Sequence, residues 1–286
     1  MNGIKIYGFA DEAGTLLSEQ ISAMKRNGLD GLEIRGVDGK NAVDLSKEQA
    51  KEVRKKLDDA GLVVWSMGSP IGKIDIVKGD FNAHMDRYRR ALETAQILGA
   101  QNLRMFSFFL PQDQDPAVFK DEVFERLGRF AEEAKGSGVL LCHENEKGIY
   151  GDMASRCLEI LQAFPEIKGV FDPANFVQCG QDTLEAWKML KPYTHYMHIK
   201  DALANGSVVP AGCGIGNLRK IASEFIAQGG RHFSMEPHLA QFEGLSALER
   251  EEQSSKIGHE YIYESKAAAF DAACTVFKSL LKDICL

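Results

Sequence analysis

Four apolar runs in the second half of the chain each end on a side chain that can ligate a hard cation: Glu144 in VLLCHEN, Asp172 in GVFDPAN, His198 in YMHIKD and Glu236 in FSMEPH. Three carboxylates and an imidazole converging on one mouth repel one another unless a cation neutralises them. Such a donor set suits one divalent, roughly octahedral ion, Mn²⁺ or Mg²⁺ first, with Zn²⁺, Co²⁺ or Fe²⁺ as alternatives. One acid at a strand end reads equally well as a solvated loop start or a helix N-cap. Four in succession do not. Pro173 and Pro237 sharpen the reading, because each holds the residue before it extended and ends the strand there.

Residues two apart on a strand share a face. Glu144 then groups with Cys142 and Glu146, His198 with Tyr196 and Lys200, and Glu236 with Ser234 and His238. His143 and His195 turn away to packing or supporting positions, and His84 and His232 read as structural or solvated. Earlier strand ends contribute Glu33 and Arg35, Ser66 and Gly68, and Arg104 and Phe106. Glu33, Arg35, Arg104, Glu146, Lys200 and His238 are therefore candidates for substrate contact, and Arg35, Arg104 and Lys200 together would receive a carboxylate or phosphate. Phe9 and Phe106 offer an apolar wall, while Trp65 reads better as core. FSFFLP (106–111) is an apolar stretch leaving the rim, either a lid or part of a subunit interface.

These residues need elements to hold them. One unit recurs along the chain: an amphipathic helix ending near Gly, a short apolar run, then a polar or Gly/Pro break. The runs fall at 4–10, 27–35, 60–68, 98–106, 137–145, 167–173, 194–201 and 229–237. Helical periodicity fills 16–28, 46–61, 85–99, 123–136, 154–164, 183–190 and 218–230, with Leu17, Ile21 and Met24 on one stripe and Ala50, Val53 and Leu57 on the next, behind an N-cap at Ser46. Strands alternating with helices imply parallel strands and right-handed crossovers, and eight such units imply an α/β chain forming a single (β/α)₈ TIM barrel. That barrel takes in 1–286 as one domain, with an extended C-terminal helical region over about 245–286. An open doubly wound sheet would show GxGxxG after the first strand, where this chain has ADEAG; AGCGIG (211–216) comes late and is a weak phosphate signal.

Composition narrows the partners. With 34 Lys+Arg against 41 Asp+Glu the net charge is −7, which disfavours binding a phosphate backbone. The 44% hydrophobic and 26% charged content is that of a globular core-forming chain, not a disordered one. No apolar run reaches the roughly 20 residues of a membrane span, and the start lacks signal-peptide character, so a cytoplasmic location is expected. Six scattered cysteines with no CxxC pair read as reduced thiols rather than a zinc cluster.

VLLCHEN, VFDPAN, MHIKDA and SMEPH, in this order within an eightfold pattern, resemble the xylose-isomerase-like barrels. That superfamily includes sugar isomerases and epimerases, inosose dehydratases and type IV apurinic endonucleases. The resemblance implies one divalent metal held by Glu144, Asp172, His198 and Glu236, with Glu144 and Glu236 also the catalytic acid/base pair. It implies proton transfer through a metal-stabilised enediolate of a small carbohydrate or polyol. A lyase acting on a keto-inositol or 3-keto glycoside is the alternative. A non-catalytic sugar-binding barrel and an endonuclease stand behind it, the latter because the third and fourth strand ends, SMGSP and RMFSF, lack the His a three-zinc site needs. Members acting on free ketoses often carry His three residues after the metal Asp; Asn175 stands there, so an amide is expected to make the substrate hydroxyl contact. The Arg that epimerases tend to place after the metal His is replaced by Lys200–Ala204. Neither nucleic acid nor membrane is an expected partner, and homo-oligomers are common among such barrels.

Overall fold

The computed structural model describes residues 3–242 and 256–285. Each apolar run contains one strand: β1 (Lys5–Gly8), β2 (Gly31–Ile34), β3 (Val63–Gly68), β4 (Asn102–Met105), β5 (Leu140–Glu144), β6 (Lys168–Phe171), β7 (Thr194–Ile199) and β8 (His232–Met235). The strands pair in chain order, all parallel, and β8 closes on β1 from Lys5↔His232 to Gly8↔Met235. Between and after them run α1 (Leu17–Arg26), α2 (Lys47–Asp59), α3 (Phe81–Leu98), α4 (Lys120–Ala134), α5 (Ala154–Ala163), α6 (Pro173–Gln178), α7 (Thr183–Leu190), α8 (Leu218–Ala227) and α9 (Lys266–Cys285). The chain is thus a single (β/α)₈ barrel.

Local chemistry explains the helix ends. Ser46 caps α2 by accepting the Gln49 N–H, and Ala50, Val53 and Leu57 are its buried stripe. The third helix begins at Phe81 rather than at 85 because Asp80 accepts the Ala83 N–H, and it ends at Gly99 in the left-handed conformation. The helical region expected from about 245 is helical only from Lys266 among the described residues. Before it, Ile257 bridges to Val208; the stretch 243–255 lies outside the described residues.

Strand alternation divides the core in two. Leu103, Leu141, Phe171, Met197 and Phe233 join the large cluster between strands and helices, whereas Tyr7, Trp65, Cys142, Val170 and Tyr196 form a separate one. The latter fills the barrel interior, since Trp65 on β3 meets Tyr196 on the non-adjacent β7 with ring centroids 4.8 Å apart. Tyr7, His232 and His195 stack on the Trp65 indole, so these two histidines are structural and Trp65 is core. The polar site stands on this aromatic floor.

Two stretches differ in role from what their composition suggests. Phe106, Phe108 and Leu110 of the apolar rim segment are buried, and Phe109 bridges both Asp75 and Ile149. That segment is packed between the loops following β3 and β5, and its phenylalanines present neither a bare lid nor an open apolar face. In the glycine-rich turn, the N–H groups of Gly212, Gly214 and Gly216 all donate to the Asp201 carboxylate at 2.9–3.1 Å. A Cβ on Gly214 would stand 2.3 Å from Asp201 Oδ1. The turn cradles an internal carboxylate where a phosphate would otherwise sit.

Candidate active site

The four strand-end donors meet at the C-terminal mouth of the barrel, all buried. Nδ1 of His198 lies 3.0 Å from Glu144 Oε1, 3.2 Å from Glu236 Oε2 and 3.9 Å from Asp172 Oδ2. One donor atom from each residue falls within 4.8 Å of the others. An octahedral ion with bonds of about 2.1 Å places neighbouring donors about 3 Å apart and opposite ones about 4 Å apart, so the set fits one divalent cation. Asp172 divides its two oxygens. Its Oδ1 accepts the Asn175 N–H and caps α6, while its buried Oδ2 faces His198 and is ion-paired with the Lys200 ammonium at 2.9 Å. The N-cap and ligand readings of this residue hold together, one per oxygen.

Basic side chains balance the carboxylates. Arg104 donates to Glu144 Oε2 at 2.9 Å, Arg35 to Glu236 Oε1 at 2.9 Å, and the Lys200 ammonium lies 2.9 Å from Asp172 Oδ2 and 3.3 Å from Glu236 Oε2. Arg35 also grips Asp11 through two nitrogens and Glu12 through one. The Phe9 ring lies against both guanidiniums and edge-on to His198, with Phe106 against Arg104, so the expected apolar wall is present. Burial opposes charge on the His198 ring, but the carboxylates of Glu144, Glu33 and Glu236 hold its pKa well above the ordinary range. Burial raises the Asp172 carboxyl to about 6, with Lys200 opposing and Glu144 and Glu236 adding to the rise. Burial acts the same way on Glu236, yet Lys200 and His198 bring it well below the usual carboxylate range.

The remaining candidates divide by what they touch. The predicted anion-receiving trio is already paired with protein carboxylates, although Nε and Nη2 of buried Arg104 have no hydrogen-bond partner. Glu33 is not at the mouth: it is fully buried beneath His198, with Oε2 3.1 Å from Nε2 and Oε1 accepting from Tyr196 and Ser66. Both its oxygens are engaged by protein partners beneath the mouth, a supporting position rather than the rim position expected of a substrate contact. Glu146 lies 2.9 Å from Lys73; burial would raise it, but Lys73, Lys147 and Lys200 bring it down to about 2. The Asn175 amide donates to Glu144 Oε1 and to the Asn145 carbonyl. His238 adopts a positive φ of 49° and gives its backbone N–H to Glu12; both ring nitrogens lack a hydrogen-bond partner. His143 faces away from the donors and meets Ser107, as alternation requires.

Sequence reasoning missed Asp11, Glu12, Asn145 and Lys73. The first two directly follow the β1 run, a strand-end signal like the four that were used. Asn145 exchanges two hydrogen bonds with the Asp172 backbone and ties the β5 and β6 ends together. Lys73 arrives from a loop, with no pattern to announce it. In a second group of possible metal donors, Glu12, Glu236 and His238, the two carboxylates are bridged by Arg35, whose guanidinium already provides their positive partner.

Comparison with known proteins agrees with this architecture. No curated protein matches the chain in sequence. Solved structures match at fold level: 3-keto-D-glucoside 4-epimerase YcjR from E. coli (14% identity, TM-score 0.70, covering 96% of this chain and 99% of that one); the probable 3-DHS dehydratase AsbF from Bacillus anthracis (17%, 0.69, 96% and 98%); and a xylose isomerase-like barrel protein from Mycobacterium smegmatis in complex with magnesium (16%, 0.71, 98% of each). These neighbours include enzymes of both the epimerase and dehydratase kinds. The family model described as xylose isomerase-like TIM barrel matches residues 21–264, and with the closed eight-stranded barrel it places the chain in that family.

Proposed function

We propose that this protein is a divalent-metal-dependent isomerase or epimerase of a small sugar or polyol derivative. The observation that carries the reading is the pair of carboxylates flanking His198 Nδ1, each fixed from behind: Glu144 by Arg104 and Asn175, and Glu236 by Arg35. Glu144, Asp172, His198 and Glu236 would hold the ion, whose chemistry when bound is Lewis-acid stabilisation of enediolate charge next to a carbonyl. One glutamate takes the α-proton and the other returns a proton to the same or the neighbouring carbon. Glu236, held below the usual carboxylate range, is unprotonated at neutral pH, the state a base requires.

A lyase acting on a keto-inositol or 3-keto glycoside is the second reading. The Lys200 ammonium favours it, because an acid 3.3 Å from Glu236 is placed to protonate a departing oxygen. The test is metal analysis followed by a screen of ketoses, keto-inositols and 3-keto glycosides in deuterated water. Stoichiometric divalent metal, deuterium at the α-carbon and unchanged product mass support the isomerase. Loss of water or an aglycone supports the lyase, and absence of bound metal overturns both.

A further inference from the structure

The structure assigns Glu33 as the positioning residue that fixes His198 for metal binding, an inference that rests on the metal reading above. His198 offers one nitrogen to each side. Nδ1 faces Glu144, Glu236 and Asp172, while Nε2 faces Glu33 Oε2 at 3.1 Å. A nitrogen that ligates a cation has no proton, so the ring proton must reside on Nε2, where Glu33 accepts it. Glu33 is itself fixed. The Tyr196 hydroxyl donates to its Oε1 at 2.7 Å, the Ser66 hydroxyl lies 3.2 Å away, and residue and partners are buried in the barrel interior.

The backbone makes this placement. The pairing of β2 with β3 shifts register between Leu32 and Glu33, so Glu33 lies opposite Ser66 while Leu32 lies opposite Val64. The irregularity brings the carboxylate beside a hydroxyl. Tyr196, two residues before His198 on the same face of β7, supplies the other. Glu33 therefore selects the tautomer, limits ring rotation and raises the electron density on Nδ1 without touching metal or substrate.

The experiment compares the full-length wild type with Glu33→Gln, Tyr196→Phe and His198→Ala, reading the dissociation constants for Mn²⁺ and Zn²⁺ by chelator competition. The amide of Gln keeps the side-chain volume and an acceptor while removing the charge. Glu33→Gln is expected to weaken both metals about 10- to 100-fold, Tyr196→Phe by less, and His198→Ala by the most. In the Zn²⁺-loaded protein, ¹⁵N-resolved NMR of His198 is expected to show the Nε2 proton shifted downfield by the carboxylate bond and moved upfield in Glu33→Gln. A Glu33→Gln protein that binds metal within about twofold of wild type, or an unmoved Nε2 proton, overturns the assignment of Glu33 while leaving the metal site standing. Should Glu33→Gln fail to fold, unaltered affinity and an unmoved proton in Tyr196→Phe overturn it equally. A wild type that binds neither metal removes the metal reading and this inference together.

Discussion

Asp172, Glu144 and Glu236 each carry a second contact that fixes the carboxylate: a helix cap on Asp172 Oδ1, the Arg104 guanidinium on Glu144 Oε2, and Arg35 on Glu236 Oε1. One oxygen of each is thereby anchored and the other faces His198, where Asn175 or Lys200 also contacts it, which is the preorganisation that proton transfer needs. Replacing Glu144 or Glu236 by Gln is expected to lower turnover by about 10²- to 10⁴-fold and to suppress α-proton exchange with solvent; exchange at the wild-type rate in both variants would remove them as the acid/base pair. The pH dependence of metal binding follows from Asp172, whose carboxyl is raised to about 6 by burial and its anionic neighbours. Below that pH the metal-free site holds a proton on Asp172, and a cation must displace it. His198, held protonated by its carboxylates, acts in the same direction. Displacing the His198 proton is therefore expected to cost about tenfold in affinity per pH unit already through the neutral range, and the Asp172 proton to steepen the fall below about 6; chelator titrations giving one constant from pH 5 to 7 would contradict this account of the site.

The elements were more legible in the sequence than the contacts they bring together. Every strand was visible because a barrel strand is buried on both faces and reads as an apolar run between breaks. The ligands were visible because each ends such a run. By contrast, the short α6 carries no periodicity long enough to read, and Asp172–Pro173 stops one element and starts the next at the same place. The support given by Glu33 to His198 was invisible, because it joins residues 165 positions apart across the barrel interior. The turn after β7 shows the same limit: its glycines give only a weak phosphate signal in the sequence, and the fold places Asp201 as their occupant. Asp201→Ala leaves the N–H groups of Ala202, Gly212, Gly214 and Gly216 without their acceptor. It is expected to destabilise the protein by about 3 kcal/mol. A denaturation midpoint unchanged by Asp201→Ala would show that the turn is held by something else.

At the scale of the whole molecule, the net charge of −7 conceals a concentrated interior balance. Glu144, Asp172 and Glu236 are buried against Arg35, Arg104, His198 and Lys200 at the mouth of one barrel, with Glu33 buried beneath them. Among the described residues no helix is long and apolar enough to cross a membrane. The Asp172 carboxyl is raised first by burial and then by the neighbouring Glu144 and Glu236, with the Lys200 ammonium opposing, so this is a position where a bound cation would stabilise the charged form. Because the donors come from β5, β6, β7 and β8, one ion would tie together the ends of four consecutive strands, and binding that requires the closed barrel stabilises the fold. At a metal concentration 100 times the dissociation constant the gain is about 2.7 kcal/mol, or roughly 5 °C in Tm for a chain of this size. Asp172→Ala is expected to abolish that increment because it removes the donor between Glu144 and His198. Thermal scans with Mn²⁺ and after chelation check this directly: equal midpoints for the wild type in both, at saturating metal, would mean that no divalent ion joins these strands.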